Sequence, residues 1–89
     1  MSVYKNIIQN ALDACNDYRS KKITLDYLPG LIANAAEQIV LIEEKELREF
    51  LFDLAGELNI VQYTIDDDKI YDAALKLVEE IEARLHKEL

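Results

Sequence analysis

The chain has 89 residues, which suits one domain built on a single hydrophobic core. Hydrophobic residues make up 51% of it, with only two glycines and one proline, so the composition excludes a disordered chain and disfavours a fold rich in β-hairpins. The net charge of -8 disfavours direct binding to nucleic acid or to an anionic membrane, and favours a basic partner.

Three features bear on where the protein works. Cys15 is the only cysteine, so no internal disulfide can form, and residues 1–6 lack the basic start and apolar stretch of a secretory signal. No apolar run approaches the roughly 18 residues that cross a bilayer, since residues 39–42 are followed at once by Glu43 and Glu44. We expect a cytoplasmic protein that does not enter a membrane.

Residues 3–18 are predicted to form the first helix. Their apolar members recur every three or four positions, as one helical face requires: Val3, Tyr4, Ile7, Ile8, Ala11, Leu12, Cys15 and Tyr18. Because Cys15 lies on this face, it is predicted to be a small core residue and not a nucleophile. The cations of residues 19–22 suit the negative end of the helix dipole and mark the end of the helix.

The second predicted helix has Thr24 as its cap and Asp26 as an early acid, and it runs to about Ile42. Its apolar residues are Leu28, Leu31, Ile32, Ala35, Ala36, Ile39 and Val40. Pro29 falls in its first two turns, where a proline inside a helix removes a hydrogen bond and clashes with the preceding turn. The proline therefore either kinks the helix or marks a later start, and the sequence leaves both open.

Acidic residues at 43–46 precede the third predicted helix, which is expected to end near residues 61–63. Its apolar residues are Leu47, Phe50, Leu51, Leu54, Leu58 and Val61. Residues 60–65 alternate and contain β-branched side chains, as a short strand does, but no second segment exists to pair with it. We assign them to the end of the helix and the following loop.

The fourth predicted helix begins after an aspartate triplet, Asp66, Asp67 and Asp68, which is expected to cap it. Its apolar residues are Ile70, Ala74, Leu77, Val78, Ile81 and Leu85. Four amphipathic helices with short connections predict an all-α fold, a compact antiparallel four-helix bundle in which residues 1–89 form one domain. The predicted shared core contains Leu12, Leu31, Leu54, Leu77 and Ile81.

Most of the net charge lies in residues 43–72, which hold ten acidic and three basic residues. Four of these acids share one face of the third helix, and we call them the acidic ridge: Glu46, Glu49, Asp53 and Glu57. Lys45 can pair with Glu49, and Glu44 with Arg48, but no base lies three or four positions from Asp53 or Glu57.

Helix 4 differs, because Asp72 with Lys76 and Glu80 with Arg84 are acid-base pairs in the favourable order. An unpaired row of acids is typical either of a solvated face, whose repulsion salt screens, or of a surface kept for a cationic partner. The sequence leaves these two interpretations open.

Catalytic and metal-binding patterns are missing. His86 is the only histidine and lies near the end of the chain, so no Cys/His or Ser/His arrangement has an orienting third group. One cysteine and one histidine cannot build a structural zinc site, and the stretch from Asp66 to Tyr71 lacks the glycine and oxygen ligand of a calcium loop. We expect no enzyme activity, no cofactor and no metal.

Two stretches of the chain carry a family resemblance: residues 20–24 (Ser-Lys-Lys-Ile-Thr) and residues 63–67 (Tyr-Thr-Ile-Asp-Asp). With the order of the helices, they resemble the small immunity proteins of the colicin D type, which protect bacteria from a tRNA-cleaving toxin. That family is helical and acidic, and it covers the toxin's basic tRNA-binding and catalytic surface with carboxylates. The resemblance implies a cognate basic nuclease toxin as partner, contacted by Tyr63, Asp66 and Asp67. Pro29 and residues 33–36 do not follow the family pattern.

The predicted partner-binding surface therefore joins the acidic ridge to Tyr63 and the triplet Asp66, Asp67 and Asp68. The alternative function is a small structural or regulatory adaptor that pairs its helices with another protein or a second copy of itself. An adaptor should leave part of residues 39–42, or Leu31 and Ile32, uncovered, and should associate with little dependence on salt. The sequence leaves the oligomeric state open.

Overall fold

The computed structural model describes residues 4–89, which form four α-helices: α1 (Lys5–Arg19), α2 (Leu28–Glu37), α3 (Lys45–Thr64) and α4 (Asp67–Glu88). A short 3-10 helix, Ile42–Glu44, leads into α3. Both α1 and α3 pack against α2 and α4, so the helices stand at the corners of a square around one core. Short connections make successive helices antiparallel. The predicted all-α four-helix bundle is confirmed; Val3, its predicted first residue, lies outside the described residues.

Helix α1 buries the face that its apolar spacing predicts. Ile8, Leu12 and Cys15 are all buried, and Cys15 is completely so, which confirms its prediction as a core residue. The helix ends after Arg19, where Lys21 adopts a φ of 63°. The N–H groups of Lys21 and Lys22 then donate to the carbonyls of Tyr18 (3.0 Å) and Asp17 (2.8 Å), so a Schellman motif closes the helix.

Helix α2 is shorter at both ends than predicted. It begins at Leu28, with Pro29 in its first turn, where the missing N–H would have had no partner in any case. The later start is therefore correct, and the prediction of Thr24 as the cap, with Asp26 as an early acid, is wrong. The carbonyl of Thr24 instead accepts the N–H groups of Tyr27 (3.1 Å) and Leu28 (3.4 Å) in a turn before the helix.

The far end of α2 stops at Glu37, so the prediction that it reaches Ile42 is also wrong. The cause is a long-range contact, because the hydroxyl oxygen of Tyr4 accepts the backbone N–H groups of Val40 (2.9 Å) and Leu41 (3.0 Å). The backbone at Leu41 is extended, with φ -72° and ψ 137°. Those two N–H groups therefore find partners outside a helix, and the chain leaves α2.

The core includes most of the residues predicted for it. Leu12, Leu54 and Ile81 are buried, and Leu77, which is partly buried, packs against the core. Leu31 is 43% exposed, so its predicted core position is wrong. Ile32 lies at the centre of the buried face of α2, and the preceding residue is turned away from it by about 100°. Helix α2 has ten residues and packs against α1 and α3, so it buries a single row of side chains, and that row includes Ile32 but not Leu31.

Helix α3 extends through Thr64, so residues 60–65 do not form a strand. Ile65 and Asp66 are extended, and α4 begins directly after them. The side chain of Asp66 makes no capping hydrogen bond, and the carbonyl of Asp66 accepts the N–H of Lys69 at 2.9 Å. Asp67 and Asp68 lie in the first turn of α4, where the helix dipole favours carboxylates.

In the described part of the chain, no helix is both long and apolar enough to span a membrane.

Candidate partner-binding surface

The acidic ridge lies on the solvent side of α3. The helix turns five residues toward the core, Leu47, Leu51, Leu54, Ala55 and Leu58, and all four ridge carboxylates are exposed on its other side. Their positions at three, seven and eleven residues from the first make them a continuous row. The predicted geometry of the ridge is therefore confirmed.

Pairing within the ridge is limited to one end. Lys45 lies 3.9 Å from Glu49, as predicted, but both side chains are more than 60% exposed, so the pair contributes little to stability. Arg48 does not pair with Glu44 and lies over the ring of Phe52, 5.2 Å from its centroid. Asp53 and Glu57 form no ion pair or side-chain hydrogen bond with any other described residue. The centre of the ridge is thus without a counter-ion within the described chain.

Some charged side chains of α4 form ion pairs, although not with the predicted partners. Arg84 pairs with Glu88 at 3.4 Å and not with Glu80, and its guanidinium lies 5.4 Å from the centroid of the Phe50 ring. Arg19 of α1 forms an ion pair with Glu82. The predicted Glu80 pair is wrong because the Phe50 ring draws Arg84 toward α3. Glu82 and Glu88 of α4 therefore have cationic partners, whereas Asp72, Glu79 and Glu80 form no ion pair, as is also true of Asp53 and Glu57 at the middle of α3.

Tyr63 and the aspartate triplet lie at the far end of α3 from Glu46. Tyr63 is 81% exposed, so this aromatic at a helix end is not a core residue and is free to contact a partner. It shares a shallow groove with Thr24 and Asp67, and Gln62 beside it donates a hydrogen bond to Asp26. Thr24, the last residue of the stretch 20–24, therefore lies near Tyr63 and Asp67 of the stretch 63–67, which is distant in sequence. All three aspartates of the triplet are exposed.

The predicted site residues form a strip and not a pocket. Helix α3 has 20 residues and is therefore about 30 Å long, with Glu46 near one end and Tyr63 near the other. The described residues contain no cluster of three or more acidic, histidine or cysteine side chains placed to hold a metal ion. The ridge carboxylates face solvent along one side of α3.

One apolar feature beside the ridge was missed by the sequence analysis. Phe52, Gly56 and Ile60 follow one another at intervals of four residues next to Asp53 and Glu57, and Ile60 is 61% exposed. We call these three residues the apolar row. The signal that would have found it is the four-residue spacing on the side of α3 that does not carry the Leu54 stripe.

A second apolar feature follows α2, in the segment that the adaptor alternative requires to be uncovered. Val40, Leu41 and Ile42 are 74%, 45% and 82% exposed, and they line a groove with Lys45, Arg48 and Phe52. Three consecutive exposed aliphatic side chains form an apolar patch, which is typical of a contact surface. The patch adjoins the Glu46 end of α3, so acidic, basic and apolar groups all face solvent along this side of the bundle.

Comparison with known proteins adds no relative. No protein-family model, no curated protein and no solved structure matches the chain significantly. The function must therefore be inferred from the surface itself. That surface presents a row of exposed carboxylates, of which Glu49 alone has an ion pair, on a helix packed into the core and bordered by apolar side chains.

Proposed function

We propose that this protein is an immunity-type inhibitor that binds a basic bacterial nuclease toxin, of the tRNA-cleaving kind, and covers its phosphate-binding surface. The observation that carries the proposal is the pair Asp53 and Glu57, exposed side by side on α3 without a counter-ion among the described residues. A nuclease must present Lys and Arg to hold its substrate. Carboxylates along α3, with Asp66 and Asp67 beyond it, offer those cations a substitute for phosphate.

The helical setting of the carboxylates favours binding energetically. Ridge residues project from a helix that is already packed against the core, so binding orders side chains but no loop. A negative surface also attracts a positive partner before contact, which raises the association rate and makes it fall as salt rises. The protein would therefore bind its toxin quickly in the cytoplasm before the toxin meets tRNA.

Two further observations support the same proposal. Thr24, Tyr63 and Asp67, which belong to the two stretches that resemble the colicin D type immunity proteins, line one groove. An exposed tyrosine at the edge of a charged patch is a common anchor in protein interfaces, because its ring is apolar and its hydroxyl can form hydrogen bonds. Tyr63 would give the acidic surface a contact that salt does not screen.

The direct test is co-expression with a nuclease toxin encoded beside this gene. Wild type should protect a sensitive strain, whereas Asp53→Lys with Glu57→Lys, and separately Asp66→Lys with Asp67→Lys, should not. The matched control is Asp13→Lys with Glu37→Lys, which makes the same charge change on exposed residues of α1 and α2. If the control loses protection as fully as the ridge variant, only net charge matters and the proposed surface is wrong.

An adaptor function is a second candidate because the exposed patch Val40, Leu41 and Ile42 is the feature that it requires. An adaptor would lose its partner when Val40 and Ile42 are changed to serine, and its binding would depend little on salt. An acidic inhibitor would retain most of its association rate in that variant and lose it between low and high salt. Measuring association rates of both variants at several salt concentrations separates the two functions.

A further inference from the structure

The exposed side of α3 carries a glycine that the fold does not require. Gly56 is exposed in the middle of the helix, its φ is not positive, and a Cβ added there would meet no heavy atom within 4 Å. Glycine in such a place weakens a helix relative to alanine, because the unfolded chain has more freedom to lose. Glycine also permits another molecule to approach the backbone closely, and the neighbours of Gly56 show which kind of molecule fits.

An apolar groove lies over Gly56, between the other two members of the apolar row. Phe52 lies one turn before the glycine and Ile60 one turn after it, and both line the groove. Phe52 is partly buried and Ile60 is 61% exposed, so the side chains form two apolar walls above a bare stretch of backbone. The groove is long enough along α3 for the stem of one extended side chain.

The rim of this groove is acidic. Asp53 and Glu57 line it, lie four residues apart and so adjacent on the helix, and form no ion pair within the described chain. Lys76 of α4 borders a neighbouring groove with Glu57, but the two do not form an ion pair. An occupant that matches both the walls and the rim has an apolar stem and a cationic head.

We propose that the Gly56 groove is a binding subsite for an arginine side chain of a partner protein. A guanidinium is planar, weakly hydrated and rich in donors, so it can bridge two carboxylates and lie against an aromatic ring, whereas an ammonium is a strongly hydrated point charge. The Phe52 ring already has a guanidinium beside it within this chain, since that of Arg48 lies 5.2 Å from the ring centroid, and Phe52 also lines the groove. The subsite rests on the proposed function only for the identity of the protein that carries the arginine.

The test uses the full chain and an acetylated, amidated hexa-arginine peptide, followed through amide chemical shifts of the isotope-labelled protein at low salt. We expect the largest shifts at Asp53, Gly56, Glu57 and Ile60. The aspartate triplet is the internal control, because nonspecific attraction should favour the denser charge of Asp66, Asp67 and Asp68. Hexa-lysine has the same charge, and the protein's affinity for it should be lower by roughly threefold or more if the guanidinium itself is recognised.

The decisive variant is Gly56→Ala, with Gly30→Ala as its match. Neither added methyl meets another heavy atom in the protein, so both variants should fold. A methyl group in the floor of the groove should weaken hexa-arginine binding roughly threefold to tenfold, whereas the same change at Gly30 on α2 should leave it unaltered. Equal binding by the two variants, or shifts that follow charge density along the whole surface, would overturn the subsite.

Failure of the subsite and failure of the proposed function give different results. Shifts centred on Gly56 with no protection against any neighbouring toxin would keep the subsite and remove the immunity function. Protection by wild type, with hexa-arginine shifts centred on residues 66–68, would keep the function and remove the subsite.

Discussion

The hydroxyl oxygen of Tyr4 accepts the backbone N–H of Val40 at 2.9 Å, across 36 residues of sequence. The same oxygen accepts the N–H of Leu41 at 3.0 Å, so one side chain holds the chain where it leaves α2. Beyond that point the exposed patch Val40, Leu41 and Ile42 begins. The conformation of this patch therefore depends on a residue at the start of the described chain.

Replacing Tyr4 with phenylalanine should destabilise the protein by about 1 to 2 kcal/mol, because two partly buried N–H groups lose their acceptor. Urea unfolding measures the change. Tyr63→Phe is the matched control, since that ring is 81% exposed, and it should alter stability by less than about 0.5 kcal/mol. Equal effects of the two substitutions would contradict the structural role of the Tyr4 hydroxyl.

Replacing Leu54 with alanine should cost about 2 to 5 kcal/mol, because removing this buried side chain of α3 leaves a cavity in the core. The same change at Leu31, which is 43% exposed, should cost less than about 1 kcal/mol. Thermal unfolding followed by circular dichroism compares them. A larger loss at Leu31 would show that α2 turns a different face to the core.

Reversing two ridge charges, Asp53→Lys with Glu57→Lys, should leave the free energy of unfolding unchanged or slightly higher. The two new lysines repel one another as the two carboxylates did, but the repulsion between position 53 and Glu49, four residues earlier on α3, becomes an attraction, and each such pair contributes a few tenths of a kcal/mol. Chemical denaturation at low salt gives the measurement. A loss above about 1 kcal/mol would mean that these carboxylates serve the fold.

The thiol of Cys15 should stay unreactive in the folded protein. Burial raises the pKa of Cys15 to about 12, with smaller effects from Glu82, which raises it, and Arg19, which lowers it. At pH 8 a thiol reagent should therefore modify the protein only as fast as it unfolds. Rapid labelling under native conditions, before any loss of helical signal, would contradict this burial.

The raised pKa of Cys15 also predicts how stability changes with pH. An unfolded thiol ionises above its ordinary pKa of 9.0 while the folded one stays neutral to about 12, so rising pH between these values favours unfolding. Relative to Cys15→Ala, which lacks this group, wild type should lose up to about 1.4 kcal/mol per pH unit in that window. Parallel pH profiles of the two proteins would contradict the prediction.

The sequence alone determined the features that depend on spacing within one helix. The stripe of α3 that includes Leu54 and the row that includes Asp53 and Glu57 lie on different faces because of helical periodicity, and no other part of the chain is needed to place them. The burial of Cys15 follows from the same rule applied to α1. The number of helices, their order and the exposed acidic ridge were therefore all predictable.

Tertiary structure decided what depends on residues far apart in the chain. Helix α2 ends early because the hydroxyl oxygen of Tyr4 accepts a hydrogen bond from the N–H of Val40. No local signal at residues 38–42 reveals this acceptor. Adjacent apolar residues such as Leu31 and Ile32 compete for one buried stripe, and only the positions of the neighbouring helices decide between them. Packing also brings Thr24 beside Tyr63 and Asp67. The Gly56 groove stays uncovered because only residues of α3 line it and no other helix lies over it.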